Sequence, residues 1–121
     1  MPDTPAIAVE QQSDAIIVRI QVKDLDEVHI AAVKSELEPV TAKSTGLPII
    51  LDMSNVKFVP SLTLGVLVKL ASEFKGRGQR LVLVSMQPMV RQVFALTRLD
   101  KIFEIAPDIS AAMQNVGGST R

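Results

Sequence analysis

A serine at the start of a predicted helix is the residue of this chain whose position suggests chemistry. Ser61 directly follows Pro60 and immediately precedes an apolar helical pattern from Leu62 to about Lys75. A hydroxyl at a helix start can cap it by accepting a backbone N–H two or three residues further on. The same position suits a phosphate, because free N–H groups and the positive end of the helix dipole stabilise negative charge. The sequence leaves both roles open, a structural cap and a phosphorylation site.

A phosphate on Ser61 would act on a partner protein more than on the fold. It would add about −1.5 to −2 charges to the surface. Where that surface docks against another protein, a like-charge clash of several kcal/mol is expected. Because about 1.4 kcal/mol is a factor of ten in affinity, such a clash can switch binding off.

Two carboxylates and the histidine lie close together in the sequence at the start of the first predicted helix. Asp24 and Asp26 flank Leu25 and suggest an acid–base pair. Two residues apart in a strand-to-helix turn, however, they are typical of an N-cap and a first-turn charge. His29 lies one position off the apolar stripe of that helix, which predicts a half-exposed surface residue.

The amino-acid composition excludes most other kinds of catalytic or metal-binding site. The 121-residue chain has no Cys and one His, which excludes thiol nucleophiles, thiolate metal sites and a histidine cluster. Thirteen Lys and Arg balance thirteen Asp and Glu, so neither nucleic acid nor anionic lipid is indicated as a partner. No apolar run approaches the roughly 18–20 residues that span a bilayer, and the first residues do not resemble a signal peptide. We therefore expect a non-enzymatic cytoplasmic protein with no cofactor, no metal and no membrane insertion.

Basic residues surround one predicted turn, which follows the second helix. Lys75, Arg77 and Arg80 lie there, with Gly76 and Gly78 between them. The turn ends a helix and leads into a strand, whereas phosphate-binding loops do the reverse. Without interleaved aromatic residues, the pattern predicts a solvated rim.

Hydrophobic periodicity predicts the elements that position these residues. The expected order is β, β, α, β, α, β, α, β, α. Strands are predicted at 6–11, 15–22, 49–53, 80–85 and 102–105. Helices are predicted to begin near Asp26, Leu62, Pro88 and Asp108, with Pro39 kinking or ending the first one. The buried stripe of the second helix is predicted to comprise Leu62, Val66, Leu67, Leu70 and Phe74. Two apolar strands joined through a helix require a right-handed parallel crossover, so the fold class is α/β with a small mixed sheet.

Five stretches of the chain, in order, resemble the STAS domain family of anti-sigma factor antagonists. In the central stretch, 51–67, an apolar strand ends in Asp52 and leads through a turn to Ser61. In the family, a motif of the type Asp-Ser-Ser-Gly-Leu-Gly opens the helix at this place. The other stretches are 24–26, 78–84, 87–99 and 102–103. The resemblance implies one STAS domain over residues 1–121, with an ordered core at about 6–116, loose ends at 1–5 and 117–121, and a sheet of four or five strands with about four helices packed on one side.

The resemblance also implies a partner switch. In many family members the unphosphorylated protein binds an anti-sigma factor that is also a GHKL-type serine kinase, and this frees the sigma factor. Phosphorylation of the first serine of the motif abolishes binding, and a serine phosphatase restores it. That serine corresponds to Ser61, and Thr63 is a less favourably placed second acceptor. The implied partner-binding residues are Asp24, Leu25, Asp26, Pro60, Ser61, Leu62 and Thr63.

The motif departs from the family at three positions. Pro60 replaces the acidic residue before the acceptor, Leu62 replaces the second serine, and Thr63 replaces the glycine. These changes bear on kinase recognition and make the docking surface bulkier. A second hypothesis is therefore open, in which the chain is a constitutive STAS subunit that docks without phosphorylation, for example in an ABC lipid-transport complex or a stress-signalling scaffold.

Overall fold

The computed structural model describes residues 5–43 and 46–118. Of the predicted loose ends, residues 1–4 and 119–121 lie outside these ranges. Within the described residues the chain forms five strands and four α-helices, in the predicted order. The strands are β1 (Ile7–Gln11), β2 (Ile16–Ile20), β3 (Ile49–Asp52), β4 (Leu81–Val84) and β5 (Glu104–Ala106). The helices are α1 (Glu27–Lys43), α2 (Ser61–Gly76), α3 (Pro88–Leu96) and α4 (Ile109–Gly118), with a 3-10 turn at Leu99–Lys101.

The strands lie in the sheet in the order in which they occur along the chain. β1 and β2 form an antiparallel hairpin, in which Gln12 N–H donates to the Ala15 carbonyl at 2.8 Å. The pairs β2–β3, β3–β4 and β4–β5 are parallel, and a helix makes each of these connections. The predicted mixed sheet is confirmed. Because β2, β3 and β4 run in parallel, the helices that follow them all begin at the same edge of the sheet.

The helices cover both faces of the sheet. The larger core joins one face to α1, α2 and α3, and it includes Ile49 and Leu51 of β3. The smaller core joins the other face to α4, where Ala112 packs with Ile50 and Val82. The packing differs in this one respect from the expectation of helices on one side. The physical reason is that β3 and β4 are buried at every position, so both of their faces need cover.

Several predicted boundaries differ from the structure by one or two residues, and two of the differences have a clear physical reason. Pro39 lies inside α1 and does not end it, and Thr41, two residues further on, is buried. Packing of the last turn against the domain thus outweighs the lost backbone hydrogen bond. β5 begins at Glu104 rather than at Ile102, because the preceding 3-10 turn directs Phe103 onto Phe94 with ring centroids 5.5 Å apart.

No helix among the described residues is both long and apolar enough to span a bilayer.

Candidate functional site

The β3–α2 loop carries the candidate site and is fixed to the sheet by side chains. Asp52, at the end of β3, accepts the Ser54 N–H at 2.9 Å and pairs with Arg19 at 3.4 Å. Asn55 reaches across to β2 and donates to the Ile20 carbonyl at 3.2 Å. These contacts hold the loop at the edge where the parallel strands end, so the start of α2 has a defined position.

Ser61 is the first residue of α2, and its side chain faces solvent. Pro60 occupies the N-cap position, with φ −67° and ψ 160°, and no side chain of the described residues caps the helix. The predicted cap role of Ser61 is therefore wrong. A capping residue has an extended backbone, and here Pro60 supplies that backbone without a side-chain acceptor. The Ser61 hydroxyl is thus exposed at the positive end of a helix whose first turn contains no acidic residue.

The turn at Asp24–Asp26 lies directly against this loop. Leu25 N–H donates to the Phe58 carbonyl at 2.9 Å, and Asp24 and Phe58 form an isolated parallel bridge. The Thr63 hydroxyl, in the first turn of α2, donates to the Leu25 carbonyl at 2.6 Å. The structure thus brings together the two sequence segments that were predicted to form one surface.

Two members of the predicted residue set lie in the interior. Leu25 and Thr63 are both 0% exposed. A kinase or a docking partner needs surface access, so Thr63 does not fit the role of second acceptor and Leu25 does not fit that of a contact residue. Instead, their mutual hydrogen bond positions Asp24 relative to Ser61.

Asp26 is the N-cap of α1, as predicted. Its Oδ1 accepts the backbone N–H of His29 at 2.9 Å. The His29 Nδ1 lies 2.9 Å from both this carboxylate oxygen and the Asp24 carbonyl oxygen. Both neighbours are acceptors, so the tautomer that carries Nδ1–H can donate to them. His29 is half-exposed, as its place beside the apolar stripe predicted. These contacts give the Asp26 carboxylate a structural role, whereas Asp24 contributes its backbone carbonyl.

Leu62 faces solvent, contrary to the predicted buried stripe of α2. It is 59% exposed and Val66 is half-buried, whereas Thr63 and Leu64 are buried. The buried face of the helix is therefore rotated relative to the prediction, so that Thr63 takes the inward position expected for Leu62. The polar Lys69, seven residues after Leu62, marks the outer face and was the available signal.

Exposed apolar side chains lie at the same edge of the sheet as Ser61, and the sequence pattern does not identify them as a group. Phe58 and Leu62 flank it in the sequence and are 57% and 59% exposed. Val28, near the start of α1, is 75% exposed and Met89, near the start of α3, is 74% exposed. Helix starts α1, α2 and α3 share one edge of the sheet, so these residues form an apolar edge around the serine, which is typical of a protein-docking surface.

The side chains at this edge are mainly apolar and hydroxyl-bearing. Among the described residues, no group of three or more His, Asp or Glu is placed to hold a metal ion. The arrangement offers a hydroxyl, a helix dipole and apolar contact area, which together suit recognition.

Comparisons with known proteins point to one family. The family model for the STAS domain matches residues 6–112. A Thermotoga maritima protein provisionally named an anti-sigma factor antagonist is 38% identical over 68 residues, which make up 56% of this chain and 60% of that protein. The match thus spans about three-fifths of that relative.

Solved structures agree with the fold. An anti-sigma factor antagonist from Mycobacterium paratuberculosis is 27% identical, with 96% of this chain and 97% of that chain covered and a TM-score of 0.75. The anti-sigma factor antagonist SpoIIAA in its unphosphorylated form is 20% identical, with 93% and 97% covered and a TM-score of 0.73, which shows a shared fold.

Proposed function

Because the chain belongs to the STAS domain family, we propose that it is a cytoplasmic anti-sigma factor antagonist that docks onto its anti-sigma factor through the apolar edge around Ser61. The observation that carries the proposal is the exposed Ser61 hydroxyl at the uncapped start of α2, between exposed Phe58 and Leu62. Apolar side chains supply the contact area, and the serine lies where a charge change alters that contact most. The names of the relatives support the partner class.

Phosphorylation of Ser61 is the proposed control. A phosphate on this hydroxyl would lie at the positive end of the α2 dipole, where no acidic side chain of the first turn opposes it. The fold would tolerate the modification. In the docked complex, however, a charge of about −1.5 to −2 would be buried against an apolar surface of the partner, which disfavours binding. The partner itself, as a GHKL-type serine kinase, would add the phosphate, and a serine phosphatase would remove it.

Pro60 alters the features by which such a kinase would recognise the Ser61 acceptor. Its ring fixes the backbone φ before the acceptor, and it offers neither a carboxylate nor an N–H. A kinase that acts here must recognise the acceptor without an adjacent acid. The Thr63–Leu25 hydrogen bond would hold the acceptor and Asp24 in one arrangement for that recognition.

The test is phosphorylation by the anti-sigma factor kinases that the source genome encodes. Each purified kinase is incubated with this chain and Mg-ATP, and intact-mass spectrometry follows the reaction. We expect a mass gain of one phosphate on the wild type and on Ser72→Ala, an exposed serine on the same helix, and none on Ser61→Ala. Binding of the unmodified chain and loss of binding by the phosphorylated chain complete the test.

The second candidate function is the constitutive subunit, for example in an ABC lipid-transport or stress-signalling complex. It is favoured by Pro60 and the bulky, exposed Leu62 at the motif, which suit permanent docking. If no kinase modifies Ser61 while each modifies a control antagonist, and the unmodified chain still binds a partner tightly, the phosphorylation switch is wrong and this function is supported.

A further inference from the structure

A pocket of about 420 Å³ lies at the end of α2 opposite to Ser61. The last two turns of α2 contribute Ala71 and Lys75, and the start of β4 contributes Arg80 and Leu81. The segment that leads into β5 contributes Ile102 and Phe103. The volume falls in the range of about 300–1,000 Å³ that small-molecule sites occupy. With a rise of about 1.5 Å per residue, the pocket residues Ala71 and Lys75 lie about 15 Å and about 21 Å along α2 from Ser61.

The walls of the pocket are held in place by the rest of the fold. Phe103 stacks edge-on against Phe94, with an interplanar angle of 67°. Gln79 is 2% exposed, and its side-chain amide donates to the Leu47 carbonyl at 2.9 Å. Gly78 makes the tight turn from α2 to β4 with φ +75°, a conformation that favours glycine. The pocket is therefore formed before any ligand arrives, which lowers the cost of binding.

The two basic side chains at the pocket, Arg80 and Lys75, differ in whether a carboxylate pairs with them. The Arg80 guanidinium makes two hydrogen bonds with the Glu104 carboxylate. Lys75, in the last turn of α2, has no carboxylate of the described residues within ion-pair distance. One cation is thus neutralised and the other is available to a ligand.

One side of the pocket is lined by apolar side chains that a ligand could contact. Leu81 and Phe103 form its inner wall, and Ile102 lies at the rim with 59% of its surface exposed. Leu81 and Phe103 are each 6% exposed, so Ile102 supplies most of the apolar area that a ligand would cover. Covering that area contributes about 25 cal/mol per Å².

We propose that this pocket binds a small organic anion with an apolar body, such as a medium-chain carboxylate, with its charged group on Lys75 and its chain against Leu81, Phe103 and Ile102. The sequence pattern predicted only a solvated basic rim here, because Ile102 and Phe103 of the apolar wall come from about 25 positions further along the chain. The site does not rest on the proposed antagonist function, and either can fail without the other.

Matched eight-carbon probes test the proposal on the full chain. Octanoate, octanol and octylamine share one apolar body and differ in charge. Binding is followed through amide chemical shifts in two-dimensional NMR titrations. We expect octanoate to shift the amides of Gly78, Leu81 and Phe103 saturably, octanol to bind the same place more weakly, and octylamine to bind most weakly. Equal affinity for all three probes, shifts centred on the Ser61 edge, or no saturable shift would overturn the proposal.

Two variants assign the roles of the residues. Lys75→Gln is expected to weaken octanoate about two- to fivefold, as for an exposed ion pair, and to leave octanol unchanged. Lys69→Gln, an exposed lysine of the same helix outside the pocket, is the control and is expected to change neither. Ile102→Ala is expected to weaken octanoate and octanol by the same factor. If Lys69→Gln and Lys75→Gln weaken octanoate equally, the carboxylate is not bound at Lys75 and the proposal is wrong.

Discussion

The two ends of helix α2 present different chemistry on one rigid element. At its start, Ser61 lies among exposed apolar side chains, with no acidic residue in the first turn. At its other end, Lys75 borders a pocket that also contains the Arg80–Glu104 ion pair. An exposed apolar edge suits a macromolecule, whereas a preformed concave site suits a small ligand. A change at one end should therefore leave the function of the other intact.

Ser61→Glu is expected to have the largest effect, and only at the start of α2. A carboxylate on the proposed docking surface should lower affinity for the proposed anti-sigma factor partner by about 100-fold or more. The reason is that a buried charge without an opposite charge beside it costs several kcal/mol. Stability should stay within about 0.5 kcal/mol of the wild type, since an acidic residue suits the first turn of a helix. Calorimetric titration and urea unfolding measure the two quantities.

Ser61→Ala is the matched control for that change. It should bind the anti-sigma factor as the wild type does. Unchanged binding by Ser61→Glu would show that the serine lies outside the interface. Octanoate binding should be the same in all three proteins, and a change there would mean that the two ends of α2 are coupled.

Thr63→Val tests the hydrogen bond that joins α2 to the Asp24–Asp26 turn within the proposed docking surface. Removal of the hydroxyl leaves the buried Leu25 carbonyl without this donor, so we expect a loss of about 1–3 kcal/mol in the free energy of unfolding. Thr63→Ser keeps the hydrogen bond and loses one methyl group, so its loss should be smaller, about 1 kcal/mol. Urea unfolding of the three proteins decides the matter, and a Val variant as stable as the wild type would show that the hydrogen bond contributes nothing.

The sequence predicted the sheet well and the details of α2 less well, and the reason is physical. β3 and β4 are continuous apolar runs, so their strand type and central position follow from local pattern alone. The direction in which Leu62 and Thr63 point depends on the helix phase. Thr63 is inside because its hydroxyl finds an acceptor 38 positions away in the chain, at Leu25. No local pattern contains that information.

The same distinction applies to the two candidate sites. Ser61 was found from the sequence because a helix start is a local feature. The apolar edge combines the starts of three helices, and the pocket joins α2 to the segment before β5. Both are products of the parallel topology, whose strand order the sequence did not determine.

Leu62→Ala and Ile102→Ala compare the two ends through side chains of equal exposure. Each is 59% exposed, so truncation should change the stability of either by no more than about 0.5 kcal/mol. Leu62→Ala should weaken anti-sigma factor binding about five- to thirtyfold, the range of a contributing interface residue. Ile102→Ala should leave that binding unchanged. Equal losses in the two variants would mean that the partner covers both ends, which would contradict the assignment of the docking surface to the Ser61 edge.

Glu104→Gln should have the smallest effect and sharpens the assignment of the pocket. The hydrogen bonds that Arg80 donates to the Glu104 carboxylate raise the pKa of Arg80, so its guanidinium stays charged. Both partners are partly exposed, and loss of the pair should cost less than about 1 kcal/mol of stability, with the difference shrinking as salt is added. The variant also frees the Arg80 charge toward the pocket. Octanoate should then bind about two- to fivefold more tightly while octanol binds as before. If octanoate binds Glu104→Gln no better than the wild type, the carboxylate of the probe lies away from Arg80. Any preference of the pocket for anions would then come from Lys75 alone.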